Sequence, residues 1–397
     1  MLLFDATHTS HSRAQTGIQR VCRSLFAALS ARQPVTGICH DPYLHAWRPL
    51  ANGELVQLRP GHPAGGSRGA KWTLPQRLAG HARRLVRART AVPAGDGLVC
   101  PELFSAKTGA HLPGLLANVR GPRVAIFHDA IGLKYPELTP PGTVARLPAY
   151  LRELLLFDGI AAVSEDSAAS LRDYWAWLGA PDVPVVRALP NGTDPIPVVT
   201  DPPDPSAVLR ILSVGTIEGR KNHLALLEAC EQLWREGLQF ELQLVGLGRP
   251  DTAGAALARL AELRQAGRPL THLARAADAD LHAAYRRCTF TVYPSLCEGF
   301  GLPVIESLQH GKPCVCSGRG ALGESARGGG CVALDSVDAA SLAGALRRLL
   351  QHPAELEALA AAARARKFKT WTDAAHDLTD WMATLPRREA VGSVLCP

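Results

Sequence analysis

Short apolar runs alternate along this chain with longer stretches whose apolar residues recur every three or four positions. Leu2 to Ala6, Arg123 to Phe127, Gly159 to Val163, Leu209 to Val214, Phe240 to Val245 and Thr289 to Tyr293 have the length and composition of strands. Between them the period changes. Gly17 to Ala31 reads as a helix. So does Asn222 to Glu236, where Leu224, Leu227, Cys230, Leu233 and Trp234 have helical spacing and Gly237 can end the helix. Alanine-rich helices are expected over Ser341 to Ala365, and a last amphipathic helix over Trp371 to Leu385. This alternation predicts a doubly wound α/β architecture without internal repeats.

The alternation is interrupted once. Asn191 to Ser206 carries Pro195, Pro197, Pro202, Pro203 and Pro205 with Asp194, Asp201 and Asp204. Proline blocks ladder formation and stiffens a linker. The boundary is therefore placed here: a first domain over 1–190, a proline-rich linker over 191–208, a second domain over 209–370, and a last helix and tail over 371–397. Ligands in such sheets bind beyond the carboxyl ends of the strands, so loops that follow strands are where chemistry is sought.

Composition narrows the class. Of the 397 residues 47% are hydrophobic and 20% charged, which suits large cores and excludes a disordered chain. No apolar run approaches the ~18 residues of a bilayer span. Met1 to Asp5 is too short for a secretory leader and lacks a basic start, so a cytoplasmic protein is expected. The ten cysteines are scattered. Cys314 and Cys316 are expected on opposite faces of a strand, and reduced thiols are expected rather than zinc or disulfides. Asn191-Gly-Thr193 matches a glycosylation sequon, read as coincidence in a cytoplasmic chain.

The net charge of +7 is unevenly spread. Arg59 to Val92 holds Arg59, Arg68, Lys71, Arg77, Arg83, Arg84, Arg87 and Arg89 and no acidic residue. Leu74, Leu78 and Leu85 share one helix face there and the arginines lie elsewhere around it, the pattern of an interfacial helix on an anionic membrane. No nucleic-acid motif accompanies the charge, so nucleic acid is not an expected partner.

The densest chemistry lies in Tyr293-Pro-Ser-Leu-Cys-Glu-Gly-Phe-Gly-Leu-Pro-Val-Ile-Glu-Ser307. Glu298 and Glu306 flank a turn whose Gly299 and Gly301 allow backbone to approach a ligand, and Pro303 suits a helix start. Free N–H groups at that start favour an anion, whereas two carboxylates suit sugar hydroxyls. The local reading is a site for a phosphorylated sugar. A second strand-to-helix loop, Ser213 to His223, presents Arg220 and Lys221 as cations for a diphosphate. Two more loops follow early strands: Asp5 to Arg20, and Ile126 to Glu137 with His128 and Asp129.

The Glu-Gly-Phe-Gly-Leu-Pro-x-x-Glu run resembles the signature of the retaining nucleotide-sugar glycosyltransferases of family 4, and the resemblance extends from Phe4 to about Leu350. It implies the GT-B fold: two Rossmann-like doubly wound domains facing across a cleft, the last helix crossing back to the first domain. It implies that Glu298 contacts the donor sugar, that Glu306 binds the ribose hydroxyls, and that the backbone of Phe300, Gly301 and Leu302 faces sugar and diphosphate. Arg220 and Lys221 would hold the leaving diphosphate, with Gly17, beside Thr16, near it. His128 would contact the donor sugar, as in mannosyltransferase-like members. Gly215, Gly246 and Arg275 would line the donor and base region. Asn191 to Asp194 would form the hinge, the loop Thr7 to Gln15 would close over the acceptor, and Glu324 has no assigned role.

The reaction so implied moves a hexose, mannose from GDP-mannose as the first choice with UDP- and dTDP-sugars open, to a saccharide or polyprenyl-diphosphate-linked acceptor in bacterial surface polysaccharide or lipopolysaccharide synthesis. Retention, front-face attack and no metal or other cofactor are expected. The chain would be cytoplasmic, peripheral at the inner membrane through 59–92. The alternatives are a GT-B epimerase or phosphorylase, or an inactive GT-B scaffold that binds nucleotide sugar.

Overall fold

A computed structural model describes residues 1–14, 17–59, 69–85, 93–196 and 208–388. Most of the linker expected over 191–208, the flanks of the basic segment, Thr16 and the tail beyond Arg388 lie outside the described residues.

Met1–Asp129, Ala145–Thr193 and the chain from Lys369 onward form one unit. Its sheet holds β1 (Leu2–Asp5), β2 (Val35–Asp41), β3 (Ala46–Pro49), β4 (Gly97–Cys100), β5 (Arg123–Phe127), β6 (Gly159–Ala162) and β7 (Val185–Ala188), in the order β3-β2-β1-β4-β5-β6-β7. Only β3, a hairpin partner of β2, is antiparallel. The central strands are buried on both faces, with Leu3, Phe4, Leu98, Val99, Val124, Phe127 and Ile160 inaccessible. Crossover helices on both sides of a parallel sheet produce such continuous burial. The last helix, Trp371–Thr384, belongs to this unit and packs on Gly17–Arg32. Thr370 and Asp373 cap its start reciprocally, and Trp371, Leu378, Trp381 and Met382 are buried.

Ala130–Val144 and Asp194–Phe368 form the other unit. All six strands of its sheet are parallel: β8 (Arg210–Val214), β9 (Glu241–Val245), β10 (Leu270–Leu273), β11 (Phe290–Tyr293), β12 (Cys314–Ser317) and β13 (Cys331–Leu334), in the order β10-β9-β8-β11-β12-β13. The segment 130–144 was expected in the first domain. It counts with the second because Leu138 packs beside Gly219, where a Cβ would meet its Cδ2 at 3.0 Å.

Two local expectations need correction. The helix expected from about Asn222 runs over His223–Arg235, with Asn222 left-handed at φ 55° just before it. Leu227, Cys230, Leu233 and Trp234 are buried as that spacing requires, whereas Leu224, in the first turn, is 37% exposed. Cys314 and Cys316 share one face of β12, packing with Tyr293, Val304, Leu308 and Leu322, while Val315 between them joins the opposite core. A strand's side chains return to the same face at every second residue, so the expectation of opposite faces was wrong. The nine cysteines described are all free thiols, and no group of three or more metal-ligating side chains occurs among the described residues.

Candidate functional site

Adjacency of β8 and β11 brings two distant loops together. After β8 the chain passes through a 3-10 turn, Gly219–Lys221, and Asn222, whose Nδ2 donates to the Val337 carbonyl at 2.8 Å, fixes the entry to the helix His223–Arg235. After β11 it turns through Gly301, left-handed at φ 96°, into the helix Leu302–Gln309 with Pro303 in its first turn. The loops are tied by Leu296 N–H donating to the Arg220 carbonyl at 2.9 Å, and by Arg220 Nη1 donating to the Cys297 carbonyl at 3.2 Å.

At their junction Glu298 Oε1 receives three donors: Lys221 Nζ at 2.5 Å, Arg220 Nη1 at 2.6 Å and the Tyr293 hydroxyl at 3.0 Å. Arg220 also reaches Glu218 Oε1 at 2.7 Å, and Lys221 Nζ touches the Tyr293 hydroxyl. Burial pushes the Glu298 carboxyl up, but Lys221 and Arg220 outweigh it and hold the pKa down at about 2. Burial pushes the Lys221 ammonium down further than Glu298 restores it. His223 is held neutral, near 3, by burial and by Lys221. The result is a nearly dry cluster of two cations against two carboxylates, at the carboxyl ends of two adjacent parallel strands.

The remaining residues of this unit fall around it unequally. Gly215 and Gly246 directly follow β8 and β9, and their backbones touch so closely that a Cβ on Gly246 would sit 1.9 Å from the Gly215 carbonyl oxygen. Glu306 lies in the helix after the turn, almost buried, and accepts from the Tyr285 hydroxyl at 3.1 Å. Phe300 and Leu302 flank the turn, but the Phe300 carbonyl is already taken by Ser325 Oγ at 2.7 Å. Arg275 stands exposed on the segment after β10. Glu324 lies on the helix Gly320–Ala326. Tyr293, Glu218 and Tyr285 escaped the sequence reading. Tyr293 closes an apolar strand and so reads as core.

Gly17 and His128 belong to the other unit. Gly17 opens the helix Gly17–Arg32. His128 follows β5 and is buried, its Nε2 donating to the Pro101 carbonyl at 2.7 Å, which leaves Nδ1 for any ligand. Burial keeps the ring neutral. The loop expected to close over an acceptor, Thr7 to Gln15, is described as far as Ala14 and carries hydrogen bonds: Glu102 accepts from His8 N–H at 2.8 Å and from Thr9 N–H at 2.8 Å, and Arg23 donates to the Ser12 and Ala14 carbonyls. Thr9 to Ser12 are buried as a result. Asp5 beside Glu102 is pushed up to about 7 by burial and by that carboxylate. The basic helix Leu74–Leu85 lies against Tyr43 and Asp41 through Gly80, and leaves Leu74, Leu78 and Leu85 at 67%, 61% and 83% exposure.

Known proteins resemble this arrangement. The model of the family described as "Glycosyl transferases group 1" matches residues 203–366. The serotype-specific mannosyltransferase WbdA of Escherichia coli is 27% identical over 343 residues, which is 79% of this chain and 38% of that protein. The chain thus spans under two fifths of that relative's length. The O-antigen chain mannosyltransferase B of Escherichia coli is 31% identical over 232 residues, 55% of this chain and 59% of the relative. Among solved structures, Anabaena Alr3699/HepE in complex with UDP-glucose has a TM-score of 0.67 at 16% identity, covering 97% of this chain and 99% of that one. The two parallel-sheet units have the GT-B fold, and the second of them, over residues 203–366, matches the group 1 glycosyltransferase family.

Proposed function

We propose that this chain transfers a hexose from a nucleoside diphosphate sugar to a saccharide or lipid-linked saccharide, with retention of configuration. One observation carries the reading: Glu298 sits between Arg220 and Lys221 where β8 and β11 end. In such a transfer the anomeric carbon gains positive character and the departing diphosphate negative charge. Fixed cations beside a fixed carboxylate stabilise both, because preorganised charges need no reorganisation as the reaction proceeds. Glu298 would face the sugar, Arg220 and Lys221 the diphosphate, and Glu306 the ribose. Gly215, Gly246 and Gly301 would let backbone approach the nucleotide, with Phe300, Leu302 and Arg275 around it. Gly17 and His128 are assigned to the donor as well, His128 through Nδ1. The two cations supply the charge that a divalent metal would otherwise contribute, so turnover in the presence of a chelator is expected.

Mannose is the first choice of sugar, supported by the names of the two Escherichia coli relatives, and O-antigen or other surface polysaccharide the first choice of product. The acceptor side is assigned to the inner membrane surface. The exposed leucines of Leu74–Leu85 with Arg77, Arg83 and Arg84 around them suit an anionic bilayer, each cation near it contributing about 1 kcal/mol. None of the described helices is long and apolar enough to cross a membrane.

The test is a thermal-shift screen against UDP, GDP, dTDP and ADP without added metal. A ligand at about 100 times its dissociation constant stabilises by about 2.7 kcal/mol. A shift with one nucleotide, lost in Glu306→Ala, supports the reading and names the donor class. No shift with any nucleotide, together with no release of nucleoside diphosphate from any nucleotide sugar, overturns it.

A further inference from the structure

The proposed transfer uses Lys221 as an ammonium, yet Lys221 is only 8% exposed. The groups facing it come from three elements. Arg220 and Glu218 belong to its own turn and loop, and buried, neutral His223 begins the following helix. Glu298 comes from the loop after β11, and Tyr293 from the end of β11 itself. Burial and Arg220 favour the neutral amine, whereas Glu298 and Glu218 favour the ammonium.

Tyr293 can donate and accept at a single atom, its hydroxyl oxygen, which lies between Lys221 and Glu298. Burial and Glu298 push its phenol well above the ordinary range, so it keeps its proton. That proton points to Glu298 Oε1 at 3.0 Å. The oxygen lone pairs remain, and Lys221 Nζ donates to them. Nζ lies 4.5 Å from the ring centroid, off its hydroxyl end. Tyr293 itself is buried, on a strand fixed by β8 and β12, so its oxygen has a set position.

We propose that Tyr293 is a positioning residue that clamps the Lys221 ammonium: its phenol oxygen accepts from Nζ while its proton goes to Glu298, fixing the cation's place and keeping it charged. The proposal rests on the transfer reading above and adds the group that makes its buried lysine usable.

Tyr293→Phe keeps the ring and its packing and removes only the oxygen. Losing an acceptor of that kind should lower the Lys221 pKa by about one unit. The measurement is a pH titration of the protein labelled with 13C at the lysine Cε, compared between wild type and Tyr293→Phe. Lys71, Lys107, Lys134, Lys312, Lys367 and Lys369 are the other signals, and Lys221→Arg identifies the one of interest. The expected result is a Lys221 titration moved down by about one unit with the others unmoved. The alkaline limb of the rate of nucleoside diphosphate release should move by the same amount, with KM within about twofold. In a Lys221→Arg background, where the charge cannot be lost in this range, the same substitution should leave the pH profile unchanged.

Equal Lys221 titrations in the two proteins, or a rate loss equal at every pH, overturn the proposal and leave Tyr293 as packing. If wild type releases no nucleoside diphosphate from any nucleotide sugar, the transfer reading fails. The lysine titration still decides whether the clamp exists. Should Tyr293→Phe not fold, a wild-type Lys221 that loses its proton well below the exposed lysines, within the pH range of turnover, is not kept charged and refutes it equally.

Discussion

Glu298 can be removed as a charge with almost no change of shape, by Glu298→Gln. Its pKa lies at about 2 against an ordinary 4.5. At 1.36 kcal/mol per unit the carboxylate contributes about 3 kcal/mol to stability. Breaking one side of a buried ion pair costs a similar amount, roughly 3–5 kcal/mol. The sign follows from the direction of the shift. A depressed folded pKa gives stability that is full above the unfolded value, near 4.5, and is lost as pH falls toward 2. For a unit of this size 1 kcal/mol moves Tm by about 2–4 °C. Glu298→Gln should therefore melt about 6–12 °C lower at pH 7, and the gap should close as the pH is taken below 3. Calorimetry at both pH values decides it. A variant that melts within about 2 °C of wild type at pH 7, or whose deficit is the same in acid, would refute the idea that Glu298 holds these cations.

Other substitutions test separate parts of the reading. Lys221→Ala should lower turnover by about 10²–10³, measured as nucleoside diphosphate release; near-normal turnover removes Lys221 from the chemistry. Asp5, raised to about 7, gives its full stability only below about 3.8 and loses it as pH rises through 7. Asp5→Asn keeps the Oδ1 acceptor that Thr7 N–H meets at 3.0 Å and Thr7 Oγ1 at 2.6 Å. It should match wild type near pH 4 and exceed it above pH 7 by up to about 4 kcal/mol, and a pH-independent difference in urea midpoints would contradict this. Wild type should float with anionic liposomes and be released by salt, and Leu78→Glu with Leu85→Glu should abolish flotation; flotation unaffected by charge or salt removes the membrane assignment.

Much of the second unit was legible in the chain because its signals are local. The strand Phe290–Tyr293, the turn through Gly301 and the helix with Pro303 in its first turn follow one another within twenty residues, and each is set by its own residue types. The contact of Arg220 and Lys221 with Glu298 was not legible. It depends on β8 lying next to β11, which their sequences do not encode separately. Tyr293 was invisible for a different reason: an aromatic residue closing an apolar strand looks like core, and only its hydroxyl between Lys221 and Glu298 shows otherwise. Cys314 and Cys316 were misplaced by a fault in applying the strand period. Leu224 was misplaced because it stands in the helix's first turn, where a residue on the apolar period is still 37% exposed. The hydrogen bonds that hold Thr9 needed Glu102, more than ninety residues away, to be seen.

On the proposed transfer the same charges serve stability and chemistry, and the two uses conflict in a measurable way. Without a ligand, Glu298 satisfies Arg220 and Lys221 and holds them aimed at one place. A diphosphate entering there must share those cations with the carboxylate, so part of its attraction is offset by loosening the pair. Thermodynamic linkage then couples the melting deficit of Glu298→Gln to its affinity. Whatever part of the ~3 kcal/mol deficit a bound nucleoside diphosphate removes must reappear as tighter binding, tenfold for each ~1.4 kcal/mol. Calorimetric titration should show Glu298→Gln binding the free nucleoside diphosphate more tightly than wild type while turning over the nucleotide sugar more slowly, because the carboxylate that weakens the diphosphate is the one assigned to the sugar. Equal affinity in the two proteins would mean that the diphosphate does not meet Arg220 and Lys221, and the site would have to be sought elsewhere in the unit.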